Sequence, residues 1–171
     1  MALSSITDTR QYLTFALGQE VFALDVSHAR EILEYSTVTK VPQTPDFMKG
    51  IINLRGSVVP VVDMRLKLGL VETEKTVDTC IIIVETDFDG EGAIIGALVD
   101  SVREVFELES QHIEAPPKMG TSLKMEFIKG IGKQDENFII ILDTDKVFSA
   151  EELALICGQE RDDQIMRTAT G

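Results

Sequence analysis

The stretch Phe47-Met48-Lys49-Gly50-Ile51-Ile52-Asn53-Leu54-Arg55-Gly56-Ser57-Val58-Val59-Pro60-Val61-Val62-Asp63 holds two apolar runs joined by a polar turn. It reads as a β-hairpin, because Gly56 can take the positive φ of a tight turn and both flanks are rich in β-branched residues. Eighty residues on, Phe127-Ile128-Lys129-Gly130-Ile131 repeats Phe47-Met48-Lys49-Gly50-Ile51, and Ile141-Leu142-Asp143 repeats Val61-Val62-Asp63 at the same offset. The copies differ in the turn, where Asn53-Leu54-Arg55-Gly56 corresponds to Lys133-Gln134-Asp135-Glu136. The shared letters are architectural, and the turn is where one copy has room for a separate task.

Upstream, alternation puts Leu13, Phe15 and Leu17 on one strand face, and Phe22, Leu24 and Val26 on one face of the strand returning after Gly18-Gln19-Glu20. Residues 27–34 change to helical spacing, with Ala29, Ile32 and Leu33 on one side and His28, Arg30, Glu31 and Glu34 on the other, which predicts a short helix of about two turns. A brief strand over 38–41 follows, then a capped helical turn at Thr44-Pro45-Asp46. Pro60 removes a ladder donor and assigns its strand to an edge or a bulge. Asp63 is placed to cap a short helix over 64–68 that Gly69 ends, and 70–78 is a charged link.

The second half restates the first. Residues 79–86 and 93–100 form a hairpin around the loop 87–92, Ala97-Leu98 echoes Ala23-Leu24, and Arg103-Glu104-Val105 echoes Arg30-Glu31-Ile32 at an offset of 73. Residues 102–108 fit a strand as well as a helix; 115–118 is a loop, 121–125 a turn of helix, and 127–143 the second copy of the central hairpin. Ser149-Ala150-Glu151-Glu152 is a capping box for a C-terminal helix over 149–157, stapled by Phe148 and Leu153 and stopped by Gly158, while 1–10 and 159–171 read as flexible tails. Ten short strands in two sets of five predict an all-β fold with minor helices, since small antiparallel sets hide their edges by curling into barrels. The expected architecture is a single domain of two tandem five-stranded β-barrels, 11–69 and 79–148, related by a pseudo-twofold with a groove between 27–34 and 102–108 and the C-terminal helix packed near the first barrel.

A net charge of -13 and a pI near 4.5 argue against nucleic-acid and anionic-membrane roles and favour basic partners. No apolar run approaches the roughly 20 residues of a membrane span, and the N-terminal residues carry no secretory pattern, so the cytoplasm is the expected compartment. Cys80 and Cys157 read as buried thiols. Signatures for phosphate, acyl-transfer or metal chemistry are absent from the sequence. His28 lies on the polar side of the predicted helix and His112 in a polar loop; Asp63 and Asp143 sit where caps belong; Asp87, Asp89 and Glu91 lack a calcium-loop pattern. Hence neither a catalytic group, a metal nor a cofactor is expected. Arg55 either stands in water at a turn or grips a partner's carboxylates or carbonyls. The residues by themselves lead to an acidic two-barrel binding module.

Asn53-Leu54-Arg55-Gly56 followed by Val58-Val59-Pro60-Val61-Val62-Asp63-Met64-Arg65 resembles the CheW adaptor family of bacterial chemotaxis. The resemblance extends through Tyr12-Leu13-Thr14-Phe15, Arg30-Glu31-Ile32, Thr44-Pro45-Asp46-Phe47-Met48-Lys49-Gly50 and Gly96-Ala97-Leu98-Val99-Asp100 to Glu151-Glu152-Leu153-Ala154-Leu155. It implies SH3-like barrels, no enzyme activity, and a scaffold joining the regulatory domain of the histidine kinase CheA to the cytoplasmic tips of methyl-accepting chemoreceptors, in arrays at the inner face of the membrane. It also implies a receptor and CheA interface at Ala29, Glu31, Ile32, Gly50, Asn53, Arg55, Gly56, Val102 and Val105. The alternative is a small two-barrel enzyme with an unrecognised site, which would turn over a substrate unaided.

Overall fold

The computed structural model describes residues 9–88, 91–115, 127–134 and 136–148. Within them lie strands β1 (Thr9–Leu17), β2 (Glu20–Asp25), β3 (Ala29–Glu34), β4 (Met48–Leu54), β5 (Ser57–Asp63), β6 (Cys80–Phe88), β7 (Glu91–Val99), β8 (Ser101–Glu109), β9 (Ile128–Gln134) and β10 (Asn137–Leu142). Helix α1 (Met64–Lys67) follows β5, and α2 (Thr144–Val147) follows β10. The expected C-terminal helix, its cap and staple, Cys157, residues 121–125 and most of the two tails fall outside the described residues. Thr9 and Arg10, assigned to a flexible tail, belong instead to β1, where Arg10 pairs with Leu108 across the ladder and with the Asp25 carboxylate at 3.0 Å.

The central hairpin forms as expected. Arg55 (φ 51°) and Gly56 (φ 88°) are its two turn residues between the paired Leu54 and Ser57, the backbone signs of a type I′ turn. Asn53 Oδ1 accepts the Gly56 N–H at 2.8 Å. The repeat is present in the register as well as in the letters: Met48 pairs with Val62 and Gly50 with Val61 across a bulge, just as Ile128 pairs with Leu142 and Gly130 with Ile141. Asp63 N–H donates to Phe47 and Asp143 N–H to Phe127, at 2.7 and 2.8 Å. Both glycines are required by close approach, since a Cβ at Gly50 would lie 2.1 Å from the Thr39 carbonyl oxygen and one at Gly130 would lie 2.2 Å from the Ile113 side chain. Asp63 caps α1 through the N–H groups of Arg65 and Leu66, and Asp143 caps α2 through that of Lys146.

The strands do not sort by sequence half. One five-stranded sheet runs β8-β1-β2-β10-β9 and the other β3-β6-β7-β5-β4, so each takes two strands from one copy of the repeat and three from the other. The sheets do not follow the bounds 11–69 and 79–148, because the chain crosses between them at the 3-10 turn Val26–His28 and again at Asp100. Repetition identifies equivalent strands, but not the sheet each one enters. Among the described residues no ladder closes either sheet into a barrel. Single bridges span the edges, with Thr39 and Ile51 exchanging both backbone hydrogen bonds at 2.9 and 2.8 Å, and Glu114 and Ile131 doing the same in the other sheet.

Two local expectations are corrected and a third is narrowed. Residues 27–34 form no two-turn helix: Ser27 and His28 end the 3-10 turn and the rest is β3, which carries a bulge between Ala29 and Glu31, so that Ala29 and Ile32, three apart, fall on one strand face. A bulge mimics helical spacing because one extra residue turns a period of two into a step of three. Of the two placements expected for Pro60, the edge fails, for β5 lies between β4 and β7, while a bulge does lie beside it, the β4–β5 register shifting between Met48 and Gly50 opposite Val61 and Val62; the β7 ladder starts only at Val61. Thr44 does not cap a helical turn but donates its hydroxyl to the Val41 carbonyl at 2.9 Å.

Alternation sends successive side chains to two different cores. In β6, Ile81 and Ile83 join Ile52, Val59, Val61 and Leu98 on one face, while Ile82 and Val84 enter a second core shared between the sheets. In the other sheet Tyr12, Ile139 and Ile141 build the private core, and Leu13, Phe15, Leu17 and Leu142 enter the shared one. Burial on both faces explains the unbroken apolar runs. The Lys67 ammonium lies 4.5 Å from the ring of Phe47 and 4.9 Å from that of Phe127, clamping the equivalent phenylalanines of the two copies.

Asp100, at the second crossover, accepts Arg65 Nε at 2.9 Å, Arg65 Nη2 at 2.5 Å and the Gly18 N–H at 2.7 Å, so it ties α1 to the β1–β2 turn of the other sheet. The Arg65 hydrogen bonds hold its carboxyl below the usual range. A depressed carboxyl contributes stability above its unfolded pKa of about 4 and loses it as pH falls through the folded value. Asp100→Asn is therefore expected to destabilise the protein by about 2 kcal/mol at neutral pH, with the gap narrowing as pH is lowered below about 4, measured by urea unfolding across a pH series. A gap that stays constant with pH would contradict this.

Candidate partner-binding surface

Edge strands β3 and β8 carry apolar side chains that the shared core does not cover. Ile32 pairs with the core residue Ile82, and Val105 with Leu13, so each shares a face with a residue of the inter-sheet core. Yet Ile32 is 46% exposed and Val105 51%. Ala29, opposite Val84, and Val102, opposite Phe15, are half-buried against that core. The two strands reach this arrangement by the same device. β8 is bulged against β1 between the Val102–Phe15 and Val105–Leu13 pairs, as β3 is against β6, which keeps both apolar residues on one face. Thr14 fills the β8 irregularity, donating its hydroxyl to the Glu104 carbonyl at 2.7 Å and accepting the Glu104 N–H at 3.0 Å.

Four of the nine residues singled out in the sequence thus gather on the faces turned toward the neighbouring sheet, extending the core outward. The others divide. Arg55 meets Glu31 in a bidentate pair, with Nη1 to Oε2 at 2.9 Å and Nη2 to Oε1 at 2.8 Å. These hydrogen bonds pull the Glu31 carboxyl below its ordinary value and raise Arg55 further. Arg55 keeps most of its side chain in water and, through this pair, joins the β4–β5 turn to β3, the opposite edge of the same sheet. Glu31 opposes Ile83 and so points to the other face of β3 from Ile32, which separates this pair from the apolar edge. Asn53 and Gly56 are exposed beside Arg55, whereas Gly50 is buried and shapes the backbone without offering a side chain.

Besides Val71 and Val77 in the charged link, two apolar surface residues escaped the sequence reading. Val58 is 57% exposed and Phe138 63%. They stand 80 residues apart at equivalent points of the two central hairpins, so the offset that revealed the repeat was also the signal for them. His28, expected on a solvated helix face, lies in the 3-10 turn with its Nδ1 buried and unpartnered. His112 is exposed, 4.0 Å from Glu109. Cys80 is half-buried and its thiol donates to the Asp78 carbonyl at 3.1 Å. Among the described residues no group of three or more His, Cys, Asp and Glu is disposed to hold a metal, and no helix is long and apolar enough to cross a membrane.

Comparison with known proteins gives the arrangement its relatives. A family model described as a CheW-like domain matches residues 11–152. The Chemotaxis protein CheW of Klebsiella aerogenes is 34% identical over 154 residues, covering 90% of each chain. The Probable chemotaxis protein CheW of Rhizobium etli is 29% identical over 84% of this chain and 90% of its own. Among solved structures, the scaffolding protein TtCheW from Thermoanaerobacter tengcongensis superposes with a TM-score of 0.73 at 36% identity, over 84% of this chain and 90% of that one. With the family model spanning most of its length and a relative above 30% identity, the chain belongs to the CheW-like family of chemotaxis proteins.

Proposed function

We propose that this chain, a non-catalytic chemotaxis adaptor by family, couples the cytoplasmic tips of chemoreceptors to the regulatory domain of the histidine kinase CheA in cytoplasmic arrays beneath the membrane. The observation that carries the reading is the continuation of the shared core onto exposed Ile32 and Val105, with Ala29 and Val102 beside them. An amphipathic receptor helix laid along that edge would complete a face the fold leaves half covered, the mode by which a helix docks its apolar stripe into a groove. The Arg55–Glu31 pair and its Asn53-Gly56 neighbourhood form a second, polar surface for CheA. Each sheet, bridged at its edges by Thr39–Ile51 and Glu114–Ile131, is read as an SH3-like barrel, a form suited to end-on pairing with a related domain.

Two outcomes follow for binding. Ile32→Glu and Val105→Glu should each weaken capture of a receptor-tip fragment by roughly tenfold or more while melting close to the parent, as truncation of an anchor at an otherwise solvated site does. Loss of the fold in both variants would make these residues structural instead. Arg55→Ala should melt like the parent but lower recovery of the ternary complex with CheA and receptor in a sedimentation assay; unchanged recovery would reduce the pair to a tie within the sheet. In a reconstituted phosphorylation assay the chain should stimulate CheA only when receptors are present, whereas substrate turnover by the chain alone would favour the enzyme reading.

A further inference from the structure

The face that carries Ile32 and Val105 has charges of one sign at its margins. Along β3, Ala29 is half-buried opposite Val84, Ile32 is exposed opposite Ile82, and Glu34 is exposed opposite Cys80. Along β8 the same series recurs 73 residues on: Val102 is half-buried opposite Phe15, Val105 is exposed opposite Leu13, and Glu107 is exposed opposite Gln11. Alternation keeps each glutamate on the face of the apolar residue two positions before it. In both strands the partner ladder runs four residues from the half-buried position to the glutamate, Val84 to Cys80 and Phe15 to Gln11, or about 13 Å at the rise of a strand. The apolar centre is therefore bounded by a carboxylate on each strand, at equivalent distances from the shared core.

The cations of these two strands take the bulges instead. Arg30 Nη1 lies 3.5 Å from Glu85 Oε2, and Glu85 shares its face of β6 with Ile83, so Arg30 turns away from Ile32. Arg103 occupies the corresponding bulge of β8. Glu107 Oε1 accepts the Gln11 amide at 3.4 Å, and among the described residues neither Glu34 nor Glu107 pairs with a cation. We propose that this surface selects an amphipathic helix with basic residues at both ends of its apolar stripe, one to meet Glu34 and the other Glu107. The inference rests on the helix-docking reading above and adds to it the charge of the occupant. Apolar burial at the centre supplies affinity, while charges at the rim choose among partners, because like charges opposed there repel. Lysine and arginine suit these margins, since their stems extend the apolar contact while their heads stay in water. The overall charge of -13 acts in the same direction, drawing basic helices and repelling acidic ones.

The experiment titrates the full chain into two fluorescent synthetic helical peptides that share one leucine stripe, the first with lysines and the second with glutamates at both ends of it, and follows anisotropy. The lysine peptide is expected to bind about tenfold or more tightly at low salt, with the preference shrinking in about 0.5 M salt, which screens charges at an exposed rim. Glu34→Lys and Glu107→Lys should each weaken the lysine peptide by about fivefold, the upper range for an exposed pair. The two losses should add, and the double variant should prefer the glutamate peptide, an exchange that damage to the fold would not produce. Reversing Glu20 and Glu74, exposed acids at the start of β2 and in the link, should leave the lysine peptide preferred. Equal saturable binding of both peptides, a preference carried by one glutamate alone, no exchange in the double variant, or the same exchange on reversing Glu20 and Glu74 would overturn the proposal while leaving helix docking intact. Binding of neither peptide would overturn the docking reading and the proposal together.

Discussion

Each sheet of this protein is buried on both faces, and one of those faces is common property. Phe15, Leu17 and Leu24 from one sheet and Ile82, Val84 and Ile95 from the other belong to a single core, all nearly inaccessible to water. Side chains of this size contribute about 1.5–3 kcal/mol each on full burial, so neither sheet keeps its stability if the other is removed. The exchange of strands between repeats makes the dependence covalent as well. The first repeat gives β1 and β2 to one sheet and β3 to β5 to the other, and the second does the reverse. Asp100 and Lys67 sit at the seams of that exchange, one bonding both Arg65 and Gly18, the other between Phe47 and Phe127.

Such a construction leaves its unfinished surface in a defined place. The outer strands are β8 and β9 in one sheet and β3 and β4 in the other, and on β3 and β8 residues that share a face with the inter-sheet core stand exposed. Ile32 and Val105 are where it reaches water. Bulges at equivalent points put the apolar residues of both strands on that side. The surface proposed for the receptor is thus the margin of the same core that holds the sheets together, and the polar Arg55–Glu31 tie stays on the opposite face of β3.

Much of this was legible in the residues. The offset of 80 predicted the hairpin pairing, both aspartate caps and the equivalence of Gly50 with Gly130, because those features depend on local chemistry within one copy. What stayed hidden was non-local. Which sheet β3 joins is decided by a crossover of three residues, and the bulge that makes Ala29 and Ile32 neighbours on one face also gives them the spacing of a helix. For the site, the motif around Arg55 pointed to its turn but not to Glu31 as its partner, since 24 residues of chain separate them. Ile32 and Val105 were found together only because the two halves echo each other.

The account stands most directly on where a receptor helix touches this chain. Backbone amide shifts recorded on the labelled full chain as a receptor-tip fragment is added would map that contact. The account predicts a continuous band along β3 and β8 that includes Ala29, Ile32, Val102 and Val105, with β4, β5 and β9 little changed. A band centred instead on the Arg55 turn or on the hairpin around Phe138, leaving β3 and β8 unmoved, would contradict it.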